Sequence, residues 1–322
     1  MQGSILVPRS PGREPRPGDG WSEQGADASP RGGFPSRHGG GAHALGSRCG
    51  VLRGESRTVK TIVITGSSRG IGFGLAEAFL ERGCQVVISG RNERVLAEAL
   101  AKLEATGGAV AAKACDVSKV ADLETLWDAA VERFGGVDIW INNAGSVSPR
   151  VRLDKVEEAE IDAVVATNLL GVIKASKMAM IRMLAQPGGG AIYNFEGFGS
   201  DGMTASGLTL YGATKRAVTY FTKSMGKELD GTSVRMGTIS PGIVATDLLQ
   251  SEMRDASDAD RAKSMKLYNI LGDRVETVAP FIADGVLKGE ATAAPVRWLT
   301  MPKAMGRFMT AGFKKRDIFA EA

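Results

Sequence analysis

Val59-Lys60-Thr61-Ile62-Val63-Ile64-Thr65-Gly66-Ser67-Ser68-Arg69-Gly70-Ile71-Gly72 runs from a β-branched stretch into a glycine-rich turn, and the amphipathic segment Leu75 to Arg82 follows. The β-branched residues suit a pleated, buried strand. The glycines let backbone approach a ligand closely, and the helix beyond them offers unpaired N–H groups and the positive end of its dipole. Strand, turn and helix in this order form a cradle for a pyrophosphate. The spacing Gly66, Gly70, Gly72 departs from the commoner GxGxxG pattern. Taken alone the loop also fits an ordinary tight turn, for which glycine is the usual residue.

The same texture continues outward. Short β-branched or apolar runs occupy Gln85 to Ser89, Val110 to Cys115, Val137 to Asn142, Ala191 to Phe195 and Ser233 to Ser240, and helical patterns alternate with them. Pro295 to Thr300 offers a seventh run. Alternation of this kind predicts βαβ units and a single doubly wound parallel α/β sheet with helices on both faces. Helix starts are expected at Ser118, ahead of Ala121 to Phe134, and at Asp154, ahead of Glu157 to Leu170. No internal repeat is visible, so residues 58–322 read as one domain.

Residues 1–57 differ in kind. Gly, Pro, Arg and Ser dominate them without apolar periodicity, and such a composition buries too little surface to offset ordering entropy. They read as a disordered leader. Arg and Ser suit a transit peptide, whereas Glu14, Asp19, Glu23, Asp27 and Glu55 do not; an extension from an early start codon is the other reading. A transit peptide would place the protein in the chloroplast, with thylakoid association; otherwise the cytoplasm is expected.

The 322 residues are 43% hydrophobic with a formal net charge of +4, enough apolar content for a core and too little charge to imply a nucleic-acid partner. No uninterrupted apolar run of about 18 residues occurs, because Ile161 to Leu184 carries Asp162, Lys174 and Lys177, so membrane contact is expected to be peripheral. Cys49, Cys84 and Cys115 have no metal-knuckle or disulfide spacing, which suits a reducing compartment. Both histidines, His38 and His43, lie in the leader. Ser/His/Asp hydrolysis and histidine-ligated zinc are thereby excluded from the folded body, and no metal is expected.

Tyr211 and Lys215 stand four apart, on one face of a helix, and can address one ligand. A tyrosine with its pKa near 10 is a poor acid–base catalyst at neutral pH, but a neighbouring ammonium stabilises the phenolate and lowers that value. The alternative is a core or surface tyrosine with an unrelated lysine.

Thr65 to Gly72, Cys115-Asp116-Val117, Asn142-Asn143-Ala144-Gly145, Tyr211-Gly212-Ala213-Thr214-Lys215 and Pro241-Gly242, in this order, resemble a short-chain dehydrogenase/reductase. The resemblance implies a Rossmann-type sheet, a nicotinamide cofactor and a catalytic tetrad of Asn, Ser, Tyr and Lys. Lys215 would also bind the nicotinamide ribose, and Asn168 would hold a water in a proton relay. Gly66, Ser68, Arg69, Gly70, Ile71, Gly72, Val117, Asn142, Asn143, Ala144, Gly145, Pro241 and Gly242 would lie along the cofactor. Asp116 would meet its adenine end and Thr246 the nicotinamide amide, or either would cap a loop. The second strand ends Ile88-Ser89-Gly90-Arg91-Asn92 without an acidic residue for a ribose hydroxyl, and Arg69 and Arg91 can meet a 2′-phosphate, so NADP(H) is the expected cofactor.

The family serine has no counterpart in Asn194-Phe195-Glu196-Gly197-Phe198; Ser200 is the nearest hydroxyl and either polarises the substrate carbonyl or belongs to the loop. Tyr193 to Ser200 resembles the corresponding loop of chlorophyll(ide) b reductases, as do Thr246 to Leu249, Tyr268 to Thr277 and Arg297 to Ala304. That resemblance implies a carbonyl substrate of pigment type, the 7-formyl group of chlorophyll b or chlorophyllide b. Alternatives are a generic NADP-dependent ketone or alcohol oxidoreductase and a non-catalytic cofactor sensor.

Leu248, Leu249, Met253, Met265, Leu267, Tyr268, Ile270 and Leu271 form an apolar-rich stretch suited to a macrocycle. Trp298, Met301, Met305, Phe308, Met309 and Phe313 alternate with Lys303, Arg307, Lys314, Lys315 and Arg316. This basic amphipathic pattern fits a membrane surface or, in a homo-oligomer, core and subunit interface.

Overall fold

The β-branched runs pair in parallel. The computed structural model describes residues 59–148, 150–252, 258–289, 293–313 and 316–319. The leader with His38, His43 and Cys49, and Met253, Lys314 and Lys315, lie outside the described residues. Strands β1 (Thr61–Ile64), β2 (Gln85–Gly90), β3 (Val110–Ala114), β4 (Ile139–Asn142), β5 (Gly190–Phe195), β6 (Val234–Ser240) and β9 (Val296–Arg297) form one sheet. Its order is β3-β2-β1-β4-β5-β6-β9, every pair parallel. The last strand is the Pro295 to Thr300 run, shortened to two residues. A separate pair joins β7 (Val244–Ala245) to β8 (Asp273–Arg274).

Both faces of the sheet are covered, which is why its strands read as continuous apolar runs. Period-two alternation sends Ile62, Ile64, Ile88, Ile139 and Ile141 to one core, packed by α1 (Gly70–Leu80), α2 (Glu93–Glu104) and α9 (Val275–Gly289). Val63, Val87, Trp140 and Ile192 face the other core, under α3 (Val120–Phe134) and α5 (Val172–Leu184). Trp127 of α3 stacks on Trp140 with ring centroids 5.9 Å apart. Two expected caps are displaced. Lys119 occupies the N-cap of α3 while Ser118 bonds Asp116, and Asp154 lies in a 3₁₀ turn ahead of α4 (Glu158–Val165). A π-helical turn, Ala166–Gly171, joins α4 to α5.

The helical stretch Glu158–Leu184 is long and apolar enough to cross a membrane by length and composition, contrary to the reading from its charges. Asn168, Val172, Ala175, Ala179 and Met183 are nevertheless buried in the fold, as in a core helix. Asn142 also departs from expectation. It faces the core rather than the cofactor side: its side chain accepts from Trp140 Nε1 at 2.8 Å and donates to Ser176 Oγ at 3.0 Å and Asn194 Oδ1 at 2.8 Å. A strand residue's face is set by the pleat, and the pleat puts Asn142 with Trp140.

The order reverses between β1 and β4, so the loops at their C-terminal ends diverge and leave a crevice. Beyond it, α6 (Thr209–Glu228), α7 (Asp247–Glu252) and α8 (Asp258–Leu271) build further walls. The C-terminal helix α10 (Met301–Thr310) exposes Met301, Met305, Phe308 and Met309. Two of the basic residues expected to face outward turn in instead. Arg307 Nη2 lies 2.7 Å from buried Asp273, Arg316 pairs with the same carboxylate, and Trp298 Nε1 donates to it at 2.6 Å. Burial alone would raise the Asp273 pKa, but the hydrogen bonds from Trp298, Arg307 and Arg316 outweigh it and hold the carboxyl below its ordinary value.

A group with a depressed folded pKa stabilises the fold above the ordinary carboxylate range and loses that contribution as pH falls through its own value. Asp273→Asn should therefore lower unfolding free energy at neutral pH by roughly 2 kcal/mol. This is less than for a fully buried pair, since both guanidinium groups keep some solvent. Urea midpoints at neutral and acidic pH should converge in the variant relative to the wild type. An unchanged neutral midpoint would show the clamp to be dispensable.

Candidate active site

Hydrogen bonds through Thr65 and Asn143 tie the loop after β1 to the loop after β4. Thr65 Oγ1 donates to Ile141 O at 3.3 Å and accepts from the backbone N–H of Asn143 and Ala144 at 3.0 and 3.1 Å. Asn143 Nδ2 donates back to the carbonyls of Thr65 and Gly66 at 2.9 and 2.8 Å. Side chains have no room here. A Cβ on Gly66 would stand 2.7 Å from Ala144 Cα, and one on Gly72 would stand 2.7 Å from Gly66 O. No side chain caps α1 and its first turn holds no acidic residue, so its leading N–H groups face the crevice without an internal anion.

That crevice is a cavity of about 330 Å³. Gly66, Ser68, Arg69, Gly70, Ile71, Gly72, Arg91, Asp116, Val117, Asn143, Ala144, Gly145 and Thr246 all line it. The donor set fits a dinucleotide: a glycine cradle, an uncapped helix start with Arg69 at its N-cap, and Arg91 where β2 ends without a carboxylate. Arg69 also meets Asp247 at 3.6 Å, with both side chains mostly exposed. Asp116 serves a loop as well, accepting from the N–H and hydroxyl of Ser118 at 3.1 and 2.8 Å. Thr246 accepts from Leu249 N–H at 3.4 Å, at the start of α7.

Tyr211, Lys215, Pro241 and Gly242 line an adjoining cavity of about 300 Å³, which shares Ile71, Asn143, Gly145, Thr246 and Leu248 with the crevice. Its other walls are largely apolar and include Val147, Phe195, Phe198, Leu208, Leu249 and Leu267. Of the expected apolar stretch, Leu248, Leu249, Leu267 and Tyr268 reach this chamber. Met265 instead packs in a small cluster with Tyr268 and Ile318, and neither Met265 nor Leu271 lines the chamber.

Tyr211 and Lys215 share one face of α6, as their spacing predicts. Lys215 is 5% exposed, its Nζ donates to Phe195 O at 3.1 Å, and it sits 5.8 Å from the Tyr211 ring centroid. Burial draws its pKa down to about 8, and the Glu196 carboxylate opposes the shift. Gly197 lies against the Tyr211 hydroxyl so closely that a Cβ there would collide with it. Asn168 lies in the π-helical turn, a feature often found at functional sites. Its side chain is fully buried and braces Ser146, accepting from its N–H at 2.8 Å and donating to its carbonyl at 2.7 Å. Through its side chain Asn168 holds the wall beside Gly145.

Of the two readings open for Ser200, its contacts favour the loop. Its hydroxyl accepts from Gly197 N–H at 3.1 Å and donates to Lys215 O at 3.3 Å, and it does not line the chamber. It braces the loop onto α6. Glu196, which drew no role from the sequence, does line the chamber while buried, and its carboxylate accepts from Thr219 Oγ1 at 3.3 Å and meets Arg297 at 3.7 Å. The only sequence signal was a charge directly after an apolar strand.

Cys84 and Cys115 are buried, and burial pushes the Cys115 thiol up to about 12, which favours its protonated form. Among the described residues no group of three metal-ligating side chains occurs.

Residues 60–257 match the family described as short chain dehydrogenase. The chain is 37% identical over 252 residues to chlorophyll(ide) b reductase NOL, chloroplastic, of Arabidopsis thaliana, covering 76% of this chain and 71% of the relative. It is 35% identical over 290 residues to the protein of the same name from Oryza sativa subsp. japonica, covering 84% and 82%. Among solved structures it resembles an actinorhodin polyketide ketoreductase with NADPH, at a TM-score of 0.67 and 27% identity, covering 74% of this chain and 95% of the other.

Replacing the chamber's carboxylate should move a titration. Because Glu196 favours charged Lys215, Glu196→Gln should shift the alkaline limb of the kcat/KM profile to lower pH, while a bracing role alone would lower the rate at every pH equally. Ser200→Ala should lower thermal stability and keep kcat within about tenfold of wild type. A loss of a hundredfold or more would restore the oxyanion assignment.

Proposed function

The chain belongs to the short chain dehydrogenase family, and we propose that it is an oxidoreductase that reduces the 7-formyl group of chlorophyll b or chlorophyllide b to hydroxymethyl with NADPH. The observation that carries the reading is Tyr211 beside buried Lys215 in a largely apolar chamber that opens onto the glycine-lined crevice. The names of the relatives support the substrate, and the word chloroplastic in them supports a chloroplast location.

The crevice holds the dinucleotide. Gly66, Gly70 and Gly72, with the start of α1, take the pyrophosphate, Asp116 and Val117 border the adenine end, and Asn143, Ala144, Gly145 and Thr246 border the nicotinamide end. Arg69 and Arg91 meet a 2′-phosphate, which favours NADPH over NADH. When bound, the reduced nicotinamide supplies a hydride to the carbonyl carbon.

The chain's own residues manage the proton. Tyr211 donates its phenolic proton to the carbonyl oxygen, so that hydride and proton together yield an alcohol. Charged Lys215 stabilises the phenolate left behind and bonds the ribose. Asn168 keeps Ser146 and Gly145 in place and, as the family resemblance implies, would hold a water in the relay that reprotonates the tyrosine. The apolar walls exclude bulk water and suit a flat pigment. With Ser200 engaged in the loop, polarisation of the carbonyl falls to the Tyr211 hydroxyl.

NADPH should support conversion of chlorophyllide b to its hydroxymethyl product, followed by pigment absorbance, with NADH at least tenfold less efficient. Tyr211→Phe should abolish turnover while leaving the NADPH dissociation constant within about threefold, since it removes one proton donor. Absence of turnover on every formyl tetrapyrrole, alongside brisk reduction of small ketones, would transfer the protein to the generic ketone reductases of its family.

A further inference from the structure

Helix α10 packs on the body with its polar side and turns its apolar side to solvent. Arg307 reaches inward to Leu271 O at 2.7 Å and to buried Asp273, and Lys303 lies over the Trp298 ring. Outward stand Met301, Met305, Phe308 and Met309, between 50% and 77% exposed, and Phe313 just beyond the helix is 92% exposed. Steps of four, three and one residue keep the first four on one side of the helix. A surface helix ordinarily does the reverse, because burial of its apolar stripe drives its docking. This one cannot roll its stripe inward without breaking the Asp273 clamp, so the exposure belongs to the folded state.

Size and charge decide what covers the face. A helix of this length is about 15 Å long and about 10 Å across, so its face falls well short of the roughly 800 Å² per partner in a stable protein interface. Residues 293–322 hold six cations against Asp317 and Glu321, a net +4 that equals the charge of the whole chain, whereas residues 58–292 carry more carboxylates than cations. No Asp or Glu occurs from Pro295 to Arg316. Arg307 and Arg316 share the one carboxylate of Asp273, Arg297 meets Glu196, and Lys303 forms no ion pair among the described residues. The segment therefore keeps an excess of positive charge. A second copy seated face to face would set one positive segment against another. An anionic lipid surface suits both features, because apolar side chains enter the headgroup–acyl boundary while cations are drawn to the headgroups.

We infer that the outward face of α10 docks on an anionic lipid surface, with Met301, Met305, Phe308 and Met309 entering the boundary. The position of the helix gives the docking a consequence. Phe308 lines a cavity of about 670 Å³ that shares Arg150, Ala205, Ser264 and Leu267 with the reaction chamber. Docking thus brings lipid beside the chamber wall. The inference stands on the surface alone; under the reductase reading, it sets the chamber next to the phase in which an apolar pigment dissolves.

The test sediments the full chain with sucrose-loaded vesicles of phosphatidylglycerol and phosphatidylcholine in equal parts, and with vesicles of phosphatidylcholine alone. Wild type should partition onto the anionic vesicles about tenfold or more tighter than onto the neutral ones at low salt, and the gap should shrink as salt rises. Met305→Gln with Met309→Gln, two exposed changes outside both cavities, should weaken binding to both vesicles by about tenfold or more while thermal unfolding stays unchanged. Lys314→Gln with Lys315→Gln should weaken binding to the anionic vesicles alone, by roughly tenfold. Wild type that stays in the supernatant with both vesicles, or a double methionine variant that sediments as wild type does, would overturn the inference. So would a wild-type dimer, seen by sedimentation velocity without lipid, that the methionine pair dissociates while no vesicle binds; the face would then belong to a second copy.

Discussion

Everything functional in this fold depends on how closely the loop after β1 approaches the loop after β4. The sheet order reverses at these two strands, so their ends diverge, and two short polar side chains bridge the gap. Thr65 and Asn143 exchange bonds across it, while Gly66 and Gly72 leave out the side chains that would push the loops apart. A wider approach would tilt α1 away and turn its free N–H groups from the crevice. The same contact sets Gly145, and through Ser146 it sets Asn168, so the cofactor crevice and the reaction chamber share one foundation. The glycine-lined crevice and the Tyr211 chamber are therefore mechanically one object, although their residues are separated by most of the domain.

The second constraint is electrostatic. In the proposed reaction Lys215 must be charged to stabilise a phenolate, yet its side chain is buried, which disfavours the charge. Its Nζ meets the Phe195 carbonyl, and the next residue, Glu196, supplies a carboxylate from the same buried loop. A serine hydroxyl would offer a dipole at this stretch of the chain; Glu196 offers a full charge. The compensation is incomplete, since burial still draws the lysine pKa down to about 8. A pair balanced in this way keeps the lysine able to both hold and release a proton close to physiological pH, which suits a group at the end of a relay.

The sheet was legible in the sequence because parallel strands buried on both faces leave uninterrupted apolar runs, and each run falls on a strand. That the residues expected along the cofactor would line one crevice was legible for a related reason: Gly66 to Gly72 and Asn143 to Gly145 are local motifs whose spacing carries their geometry. What escaped were properties of pleat and packing. Asn142 sits one position before a cofactor-lining residue, but the pleat turns it into the core beside Trp140. Ser200 carries the right chemical group, and the loop spends that group on Lys215 O and Gly197 N–H. Arg307 and Arg316 look like surface cations in a one-dimensional pattern, because the carboxylate that draws them inward lies 34 and 43 residues earlier at Asp273. Long-range ion pairing leaves no periodicity to read.

Asp273 also explains why the chamber has a definite wall on its far side. It belongs to β8, which pairs with β7 directly after the Pro241-Gly242 turn, so it is tied to the chamber floor. Arg307 and Arg316 bond the carbonyls of Leu271 and Ile270, the last residues of α8, as well as the Asp273 carboxylate. Ile318 then packs on Tyr268, and its N–H donates to Asn269 Oδ1. The C-terminal segment thereby holds α8 against β7 from outside, and α8 carries Ser264, Leu267 and Tyr268 into the chamber. A helix with so little burial of its own would otherwise move independently of the crevice. Pinning it fixes the distance between Tyr211 and the opposite wall, and with it the shape that a substrate must fit before any proton moves.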